Sequence, residues 1–232
     1  MTNEKNVRSN QPPDSKIGHK STELKHKNGP KSGPAVEAER TKKTNLGSIL
    51  GIIKLIQGVD PYTAIHERRT AQLALAIAEE MGLSDDGVKT VEVAALLHDS
   101  ARATVPQDIL AFPGQIGQDG KNLVKTQPQV AYDMLKELDI QANVAEIVLQ
   151  HHERMDGSGY PGELSGEAIL MEARILALAD VVEAMCSNRS YRSALGVERA
   201  LDEISSHKNT LYDPGVVDAC VKVFNEKGFT FV

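Results

Sequence analysis

Apolar residues recur at helical spacing along most of the chain from residue 46 onward. In the first such segment one apolar stripe is formed by Leu46, Ile49, Leu50, Ile53 and Ile56. Alternation of apolar and polar residues, the mark of a half-buried strand, does not extend over any length of the sequence. The pattern therefore predicts an all-α fold.

Turn and cap residues set the expected ends of the helices. Pro61 opens one helix and Gly82 ends it, while Ser84 caps the next. We expect helices over residues 46–57, 62–81, 88–99, 121–126, 128–138, 143–153, 168–188, 197–206 and 214–227. Residues 100–118 and 154–166, which are rich in Gly and Pro, are expected to be loops.

The first 43 residues differ in composition from the rest. They are rich in Lys, Asn, Ser, Pro and Gly and contain few apolar side chains. Such a segment buries too little surface to offset the entropy lost on ordering, so we predict a disordered basic tail over 1–43 and a folded domain over 44–232. The tail is either a solvated linker or a basic arm that contacts RNA, a membrane or a partner protein.

Composition narrows the class of protein. Hydrophobic residues make up 41% of the 232 residues and aromatic residues only 4%, without Trp, so the core must consist of Leu, Ile, Val, Ala and Met. Residues 1–45 carry a net charge of +5 and the remainder −11. A body this acidic is a poor general binder of nucleic-acid polymers, and any phosphate ligand needs local cations.

The sequence also favours a cytoplasmic location. Its two cysteines lie in unrelated segments and form no CxxC motif, which is typical of a reducing compartment. No apolar run approaches the roughly 18 residues of a transmembrane helix, and the N-terminus lacks the apolar core of a signal peptide.

Four segments carry side chains of the kinds that bind metals, and two of them interrupt strongly apolar helices. His98 and Asp99 follow the apolar run 91–97, and Asp180 lies within the apolar run 175–182. A charged group among apolar neighbours is costly unless a cation or a polar partner compensates, which favours metal ligation. The alternative for Asp99 is a cap on the following turn, through Ala101 or Arg102.

The other two segments are ambiguous by themselves. His66 is a lone helical histidine, which is more often an ordinary surface or core residue than a ligand. His151 and His152 are helix neighbours about 100° apart. They can address two metals, or a metal and a phosphate, or they form an interfacial pair with one solvated ring. Mixed His and Asp ligands suit Fe, Mn or Zn, and a two-metal site bridged by Asp99 fits phosphoester hydrolysis.

Taken together, these residues resemble a known family. The series His66, His98-Asp99 and Asp180 resembles the HD superfamily of metal-dependent phosphohydrolases. The string HHERMDGSGYPGEL (151–164) resembles the signature of its HD-GYP branch, and ARILALADVVEAMCSNRSYRSAL (173–195) is also similar to that branch. The resemblance covers residues 46–230 and implies an HD-domain helical bundle of the HD-GYP type.

The resemblance also implies an activity and a set of site residues. Members hydrolyse the bacterial second messenger cyclic di-GMP to pGpG or GMP through a metal-activated hydroxide, using iron or manganese. It implies one or two metal ions per chain. The implied ligands of the first metal are His66, His98, Asp99 and Asp180. The implied ligands of the second metal are Asp99, His151 and His152. The implied catalytic residues are Asp99 and Arg102. The implied contacts to substrate are Arg102, Gly159, Tyr160, Pro161 and Arg192.

Three positions depart from the family pattern. Arg102 stands where HDIGK has its lysine, and a guanidinium donates a proton less readily than an ammonium. Gln127 replaces a histidine ligand of the second metal, and an amide oxygen is a weaker ligand for Fe or Mn. Tyr62 stands where some members have a glutamate for a third metal, so a trinuclear centre is not expected.

These departures leave three functional interpretations. The first is an active cyclic di-GMP phosphodiesterase. The second is a degenerate HD-GYP module that binds cyclic di-GMP or a protein partner without turnover. The third is an HD phosphohydrolase that acts on another nucleotide with one metal, against which the GYP loop argues. A homodimer through the helix predicted over 46–57 is an additional hypothesis, the alternative being that this helix packs on its own core.

Overall fold

The computed structural model describes residues 51, 61–104, 117–138, 140, 143–188 and 192–232. Over these residues the chain is helical and has no β-strand, apart from single bridge residues at Arg192 and between Lys208 and Tyr212. The predicted all-α class is therefore confirmed. Four predictions lie outside the described residues: the tail over 1–43, the domain boundary at residue 44, the helix over 46–57 apart from residue 51, and the role of the Tyr62 side chain.

Eight α-helices are described. In chain order they are α1 (Pro61–Glu80), α2 (Asp85–Leu97), α3 (Gln118–Lys125), α4 (Gln127–Leu135), α5 (Val144–Gln150), α6 (Met171–Cys186), α7 (Val197–Ser206) and α8 (Pro214–Asn225). Two 3-10 helices, Ser100–Thr104 and Gly166–Ala168, lie at edges of segments that were expected to be loops. That expectation was wrong at both places, because short runs of this kind close i to i+3 hydrogen bonds without the sustained apolar periodicity of an α-helix.

Some predicted helix ends were also wrong. α6 begins three residues later than expected because Leu170 is extended, with φ −57° and ψ 141°. It ends before Ser187, which is extended as well. The cap residues act as predicted elsewhere: the Ser84 hydroxyl accepts a bond from the Gly87 amide at the start of α2. Apolar periodicity thus locates each helix, and the backbone of the flanking residues decides its last turn.

α6 runs through the centre of the bundle. It packs against α1, α2, α5, α7 and α8. Residues on several of its sides are fully buried, among them Ile175, Leu176, Leu178, Ala179 and Val182. A helix that is apolar nearly all round belongs in a core. Polar side chains on this helix are therefore held inside the protein, which is how the fold creates a buried polar site.

The core has the composition that the sequence predicts. It is built chiefly from Leu, Ile, Val and Ala side chains of all the larger helices. Arg174, the one basic residue of α6, lies at its periphery and pairs at 3.0 Å with Asp213, the N-cap residue of α8. None of the helices within the described ranges combines the length and the apolar character needed to cross a membrane.

Candidate metal centre

Three helices bring His66, His98 and Asp180 together. Their potential ligand atoms all lie within 4.8 Å of one another. His66 Nε2 is 3.1 Å from Asp180 Oδ1, and His98 Nε2 is 3.9 Å from the same oxygen. Asp99 joins them, since its Oδ2 is 3.9 Å from His66 Nε2. The four residues proposed for the first metal thus occupy one place, although they come from α1, the end of α2 and α6.

Local hydrogen bonds fix the orientation of two further nitrogen atoms. His98 Nδ1 donates to the Ala95 carbonyl at 2.7 Å, and His151 Nδ1 donates to the Val148 carbonyl at 2.5 Å. Each bond requires a proton on Nδ1, so in the neutral tautomer the lone pair lies on Nε2. Both Nε2 atoms are buried and have no hydrogen-bond partner in the part of the chain that the structure describes. Because an unpaired buried polar atom is costly, this donor set fits a divalent cation.

The histidines form a continuous row. Ring centroids are 5.3 Å apart for His98 and His151, 3.9 Å for His151 and His152, and 4.9 Å for His152 and Tyr160. Burial lowers the pKa of His151 well below its usual value and the pKa of His152 to about 4. Both imidazoles are therefore neutral at pH 7, as a metal ligand must be.

The second metal stands on weaker geometry than the first. Among the described residues, the group that meets the 4.8 Å spacing consists of His66, His98 and Asp180 and does not include His151 or His152. The row of rings nevertheless places His151 beside the first group. A second metal held by Asp99, His151 and His152 therefore stays a prediction.

The electrostatics of the cluster favour a bound cation. Burial opposes a charge on His66, but its contacts with Asp180 and Glu183 outweigh burial and raise its pKa to about 10. Burial also opposes a charge on the Asp99 and Asp180 carboxyls, which by itself would raise their pKa. The neighbouring histidines, and Arg102 in the case of Asp99, outweigh burial and hold the pKa of both carboxyls well below the usual range. The cluster thus keeps two ionised carboxylates inside the fold, and the His66 proton occupies the place that a metal on Nε2 would take.

One cavity of about 230 Å³ opens onto this cluster. It is lined by His66, Asp99, Arg102, Val124, Gln127, His152, Tyr160, Asp180 and Ala184. Seven of these nine residues were candidates from sequence, and Val124 and Ala184 were not. Gly159, Pro161, Arg192, His98 and His151 are not among the lining residues.

Arg102 and Gln127, the two departures from the family pattern, both line the cavity. The Arg102 guanidinium donates weakly to Asp99 Oδ2 at 3.4 Å, and its Nε is buried without a partner among the described residues. Gln127 is the first residue of α4, and its Oε1 is likewise buried without a described partner. The cavity wall therefore carries the positive charge of the Arg102 guanidinium and the Gln127 amide oxygen, which has no hydrogen-bond partner among the described residues.

The loop after His152 is held by backbone contacts that only glycine permits. A Cβ on Gly159 would lie 2.4 Å from Glu153 Cα, 2.5 Å from the Arg154 nitrogen and 2.6 Å from the His152 oxygen. The next residue, Tyr160, donates its amide to the His152 carbonyl at 3.3 Å. The close approach turns the Tyr160 ring onto His152 at the cavity wall.

Glu153 organises the same loop and was not identified from sequence. Its side chain is buried, and its carboxylate accepts hydrogen bonds from the amides of Gly162 at 2.7 Å and Leu164 at 3.0 Å. Since a carboxylate bonded to backbone amides makes strong hydrogen bonds, Glu153 anchors the far side of the loop. The sequence offers only a weak signal, an acidic residue a few positions before a glycine-rich turn.

Arg192 lies beside the cavity without lining it. Its guanidinium donates to the carbonyl of Ala184 at 2.8 Å and to that of Ser193 at 3.3 Å. Ala184 is itself a lining residue. A phosphate contact by Arg192 stays a prediction.

A family model described as "HD domain" matches residues 52–216 of the chain. The chain belongs to the HD domain family. This HD domain is 38% identical over 189 residues to the cyclic di-GMP phosphodiesterase response regulator RpfG of Xanthomonas campestris, covering 80% of the chain and 49% of the relative. It is 36% identical to a cyclic di-GMP phosphodiesterase of Thermotoga maritima, covering 78% of the chain and 50% of the relative. The resemblance to the HD-GYP branch that the sequence motifs predicted is confirmed by these relatives.

Solved structures support the fold. A cyclic GMP-AMP specific phosphodiesterase of V. cholerae superposes with a TM-score of 0.58 at 21% identity, covering 78% of the chain and 48% of that protein. The HD domain of PgpH from L. monocytogenes, in complex with cyclic di-AMP, gives a TM-score of 0.55 at 17% identity and is covered to 99%. The HD-type helical bundle is thereby confirmed. The chain spans about half the length of the curated relatives that it matches.

Proposed function

We propose that this HD domain is a metal-dependent phosphodiesterase that hydrolyses cyclic di-GMP to pGpG or GMP. The observation that carries the proposal is the cluster of His66, His98, Asp99 and Asp180 beside a cavity whose wall includes Tyr160 of the GYP loop. The names of the relatives support the choice of substrate, since cyclic di-GMP phosphodiesterases match most of the domain.

The role proposed for each residue follows from the chemistry of its side chain. His66, His98, Asp99 and Asp180 would hold one divalent cation, and Asp99, His151 and His152 a second. Such ions act as Lewis acids at phosphoryl oxygens and make water a better nucleophile at neutral pH. Arg102 binds a phosphate oxygen, and its constant positive charge stabilises the negative charge that develops there.

The cavity suits a part of the substrate. Its volume of about 230 Å³ is below the roughly 300–1,000 Å³ typical of sites that enclose a whole small ligand. The scissile phosphodiester therefore enters the cavity, and the Tyr160 ring offers a face on which a guanine base stacks. Iron or manganese as the metal, a cytoplasmic location and a homodimer or signalling partner stay predictions.

The proposal is tested by metal loading followed by a hydrolysis assay. Purified protein reconstituted with Mn²⁺ or, without oxygen, with Fe²⁺ is expected to convert cyclic di-GMP to linear products that chromatography resolves. A parallel assay with 3'3'-cGAMP checks the base preference, since one relative of 31% identity is named as specific for that nucleotide. Absence of linear product at every metal load, in folded protein, would contradict the proposal.

Gln127 supports a second candidate function, a module that binds cyclic di-GMP without turnover. An amide oxygen stands in the cavity where the family has imidazole, and it weakens the second metal site. Binding of cyclic di-GMP in calorimetry together with absent hydrolysis would favour this candidate.

Gln127→His is expected to strengthen the second metal site. Because imidazole is a better ligand than an amide oxygen for Fe or Mn, we expect metal affinity at that site, and turnover at limiting metal, to rise by about tenfold or more. Titration with Mn²⁺ followed by the hydrolysis assay measures both. Gln129→His, an exposed change on the same helix, is the matched control. Equal behaviour of the two variants would show that residue 127 does not reach a metal.

A further inference from the structure

Glu183 is a fully buried carboxylate that no sequence motif singled out. It lies on α6, one turn after Asp180, and its side chain is 0% exposed. A buried carboxylate is costly unless charge or hydrogen bonds compensate. The helix around it is apolar, so the compensation must come from a neighbouring element.

That compensation comes from α1 and from the end of α6. Glu183 Oε2 accepts a hydrogen bond from His66 Nδ1 at 2.5 Å. The other oxygen accepts one from the Ser187 hydroxyl and lies 3.6 Å from Arg69 Nη1. Arg69 also donates to the Ser187 hydroxyl at 2.8 Å and is covered by the ring of Phe231, 4.4 Å from its guanidinium carbon. Both oxygens of Glu183 are therefore engaged.

The spacing on the two helices explains the network. His66 and Arg69 are three residues apart on α1 and so share one face of that helix. Ser187 directly follows the end of α6, where its hydroxyl reaches Glu183 in the last turn. The two helices pack against each other. The His66 ring is consequently held at Nδ1 by Glu183, while its Nε2 faces Asp180 and Asp99.

This geometry separates Glu183 from the ligand atoms. Its carboxylate meets the Nδ1 edge of His66, and the metal cluster lies at the Nε2 edge. Glu183 is thus placed to act through His66 rather than on a metal directly. A carboxylate bonded to the outer nitrogen of a ligating histidine fixes its tautomer and ring orientation and raises its basicity.

We propose that Glu183 is the positioning residue for His66, held in place by Ser187 and Arg69. The proposal rests on the proposed function in one respect, namely that a metal binds at His66 Nε2. With Glu183 in place, the proton of the neutral ring resides on Nδ1 and the Nε2 lone pair is presented to the cluster. The Phe231 ring covers the Arg69 guanidinium, so the C-terminal segment also contacts this network.

The test is Mn²⁺ binding by calorimetry to wild-type protein, Glu183→Gln and Glu183→Asp. We expect Glu183→Gln to bind Mn²⁺ at the first site about 10–100-fold more weakly, the usual effect of losing such a partner. Glu183→Asp keeps the charge and is expected to lie between the two. Glu80→Gln is the matched control, because Glu80, the last residue of α1, is a partly buried carboxylate that pairs with Lys222 and Lys227 instead of a histidine.

A second readout separates positioning from a loss of stability. In wild-type protein the short bond to Glu183 is expected to give a strongly downfield proton resonance for the His66 Nδ1–H, absent in His66→Ala. Glu183→Gln should move this resonance upfield, and Glu80→Gln should not. Ser187→Ala removes one of the two groups that hold Glu183 and is expected to shift the resonance in the same direction by a smaller amount. This variant keeps the test available if Glu183→Gln fails to fold, and an unchanged resonance would contradict the role of Ser187.

The outcomes distinguish this inference from the proposed function. If wild-type protein binds no Mn²⁺ at all, the proposed function fails and the positioning role falls with it. If wild-type protein and Glu183→Gln bind Mn²⁺ equally well, only the positioning role is overturned. Equal weakening in Glu80→Gln would likewise overturn it, since the effect would then reflect general stability.

Discussion

Asp180→Asn is expected to empty the first metal site and to abolish hydrolysis. Asp180 Oδ1 lies closest to the histidines of the cluster, 3.1 Å from His66 Nε2 and 3.9 Å from His98 Nε2. The amide keeps the shape but removes the negative charge that offsets the cation. We expect turnover to fall by more than about 100-fold, beyond the roughly 10–100-fold that follows loss of a residue hydrogen-bonded to a metal ligand. Metal content by mass spectrometry and the cyclic di-GMP assay measure the two effects.

A matched substitution separates charge from position. Asp218→Asn removes a carboxylate from α8 that is 67% exposed and pairs only with Lys208 among the described residues, so metal content and turnover should stay at wild-type levels. Circular dichroism verifies that both variants fold. Wild-type metal content in folded Asp180→Asn would show that Asp180 is not a ligand. The proposed ligand set of the first metal would then be wrong.

The helices were largely predictable because local signals and tertiary packing agree. α7 spans Val197–Ser206 as expected, and α8 begins at Pro214, where Asp213 accepts bonds from two backbone amides as an N-cap should. The clustering of His98-Asp99 and Asp180 was predictable for a similar reason. A charged residue in an apolar run lies inside the fold. Two such residues buried in one small domain are expected to lie close together, where they share a compensating partner.

The residues that support the site were harder to predict because their roles depend on pairing between distant segments. Glu183 and His66 are 117 positions apart, and only the packing of α1 on α6 brings them into contact. The argument from burial that selected Asp180 applies equally to Glu183, three residues later in the same apolar helix. The local sequence therefore marks Glu183 as a residue that needs a buried partner. Val124 and Ala184, by contrast, are ordinary small aliphatic residues, and nothing in their local sequence marks them as cavity wall.

The motif residues themselves divide in the same way. Tyr160 lines the cavity, whereas Gly159 contributes through its missing side chain and Glu153 through bonds to the loop backbone. A signature string therefore mixes residues that face substrate with residues that shape the backbone. Sequence alone does not separate these two kinds, because the difference lies in which atoms come close after folding.

Gly159→Ala is expected to displace the GYP loop and to impair substrate binding severely. The added Cβ would meet three backbone atoms of residues 152–154 at 2.4–2.6 Å, and backbone has no free rotamer with which to move away. The loop must shift, and Tyr160 shifts with it. Since misplacement by about 1 Å can cost roughly 100-fold in rate, we expect kcat/KM for cyclic di-GMP to fall by about that factor. Steady-state kinetics measure the loss, and a crystal structure locates the displaced ring.

The pattern of effects makes this prediction specific. His66, His98 and Asp180 all lie outside the loop, so Gly159→Ala should keep the metal of the first site, in contrast to Asp180→Asn. Ser158→Ala, an exposed change at the adjacent position, is the control and should leave kinetics unchanged, because the bond from the Ser158 amide to the Asp156 side chain stays when the hydroxyl contact is lost. Wild-type kcat/KM in Gly159→Ala would mean that the position of the Tyr160 ring does not matter for catalysis, and the role proposed for the loop would be wrong.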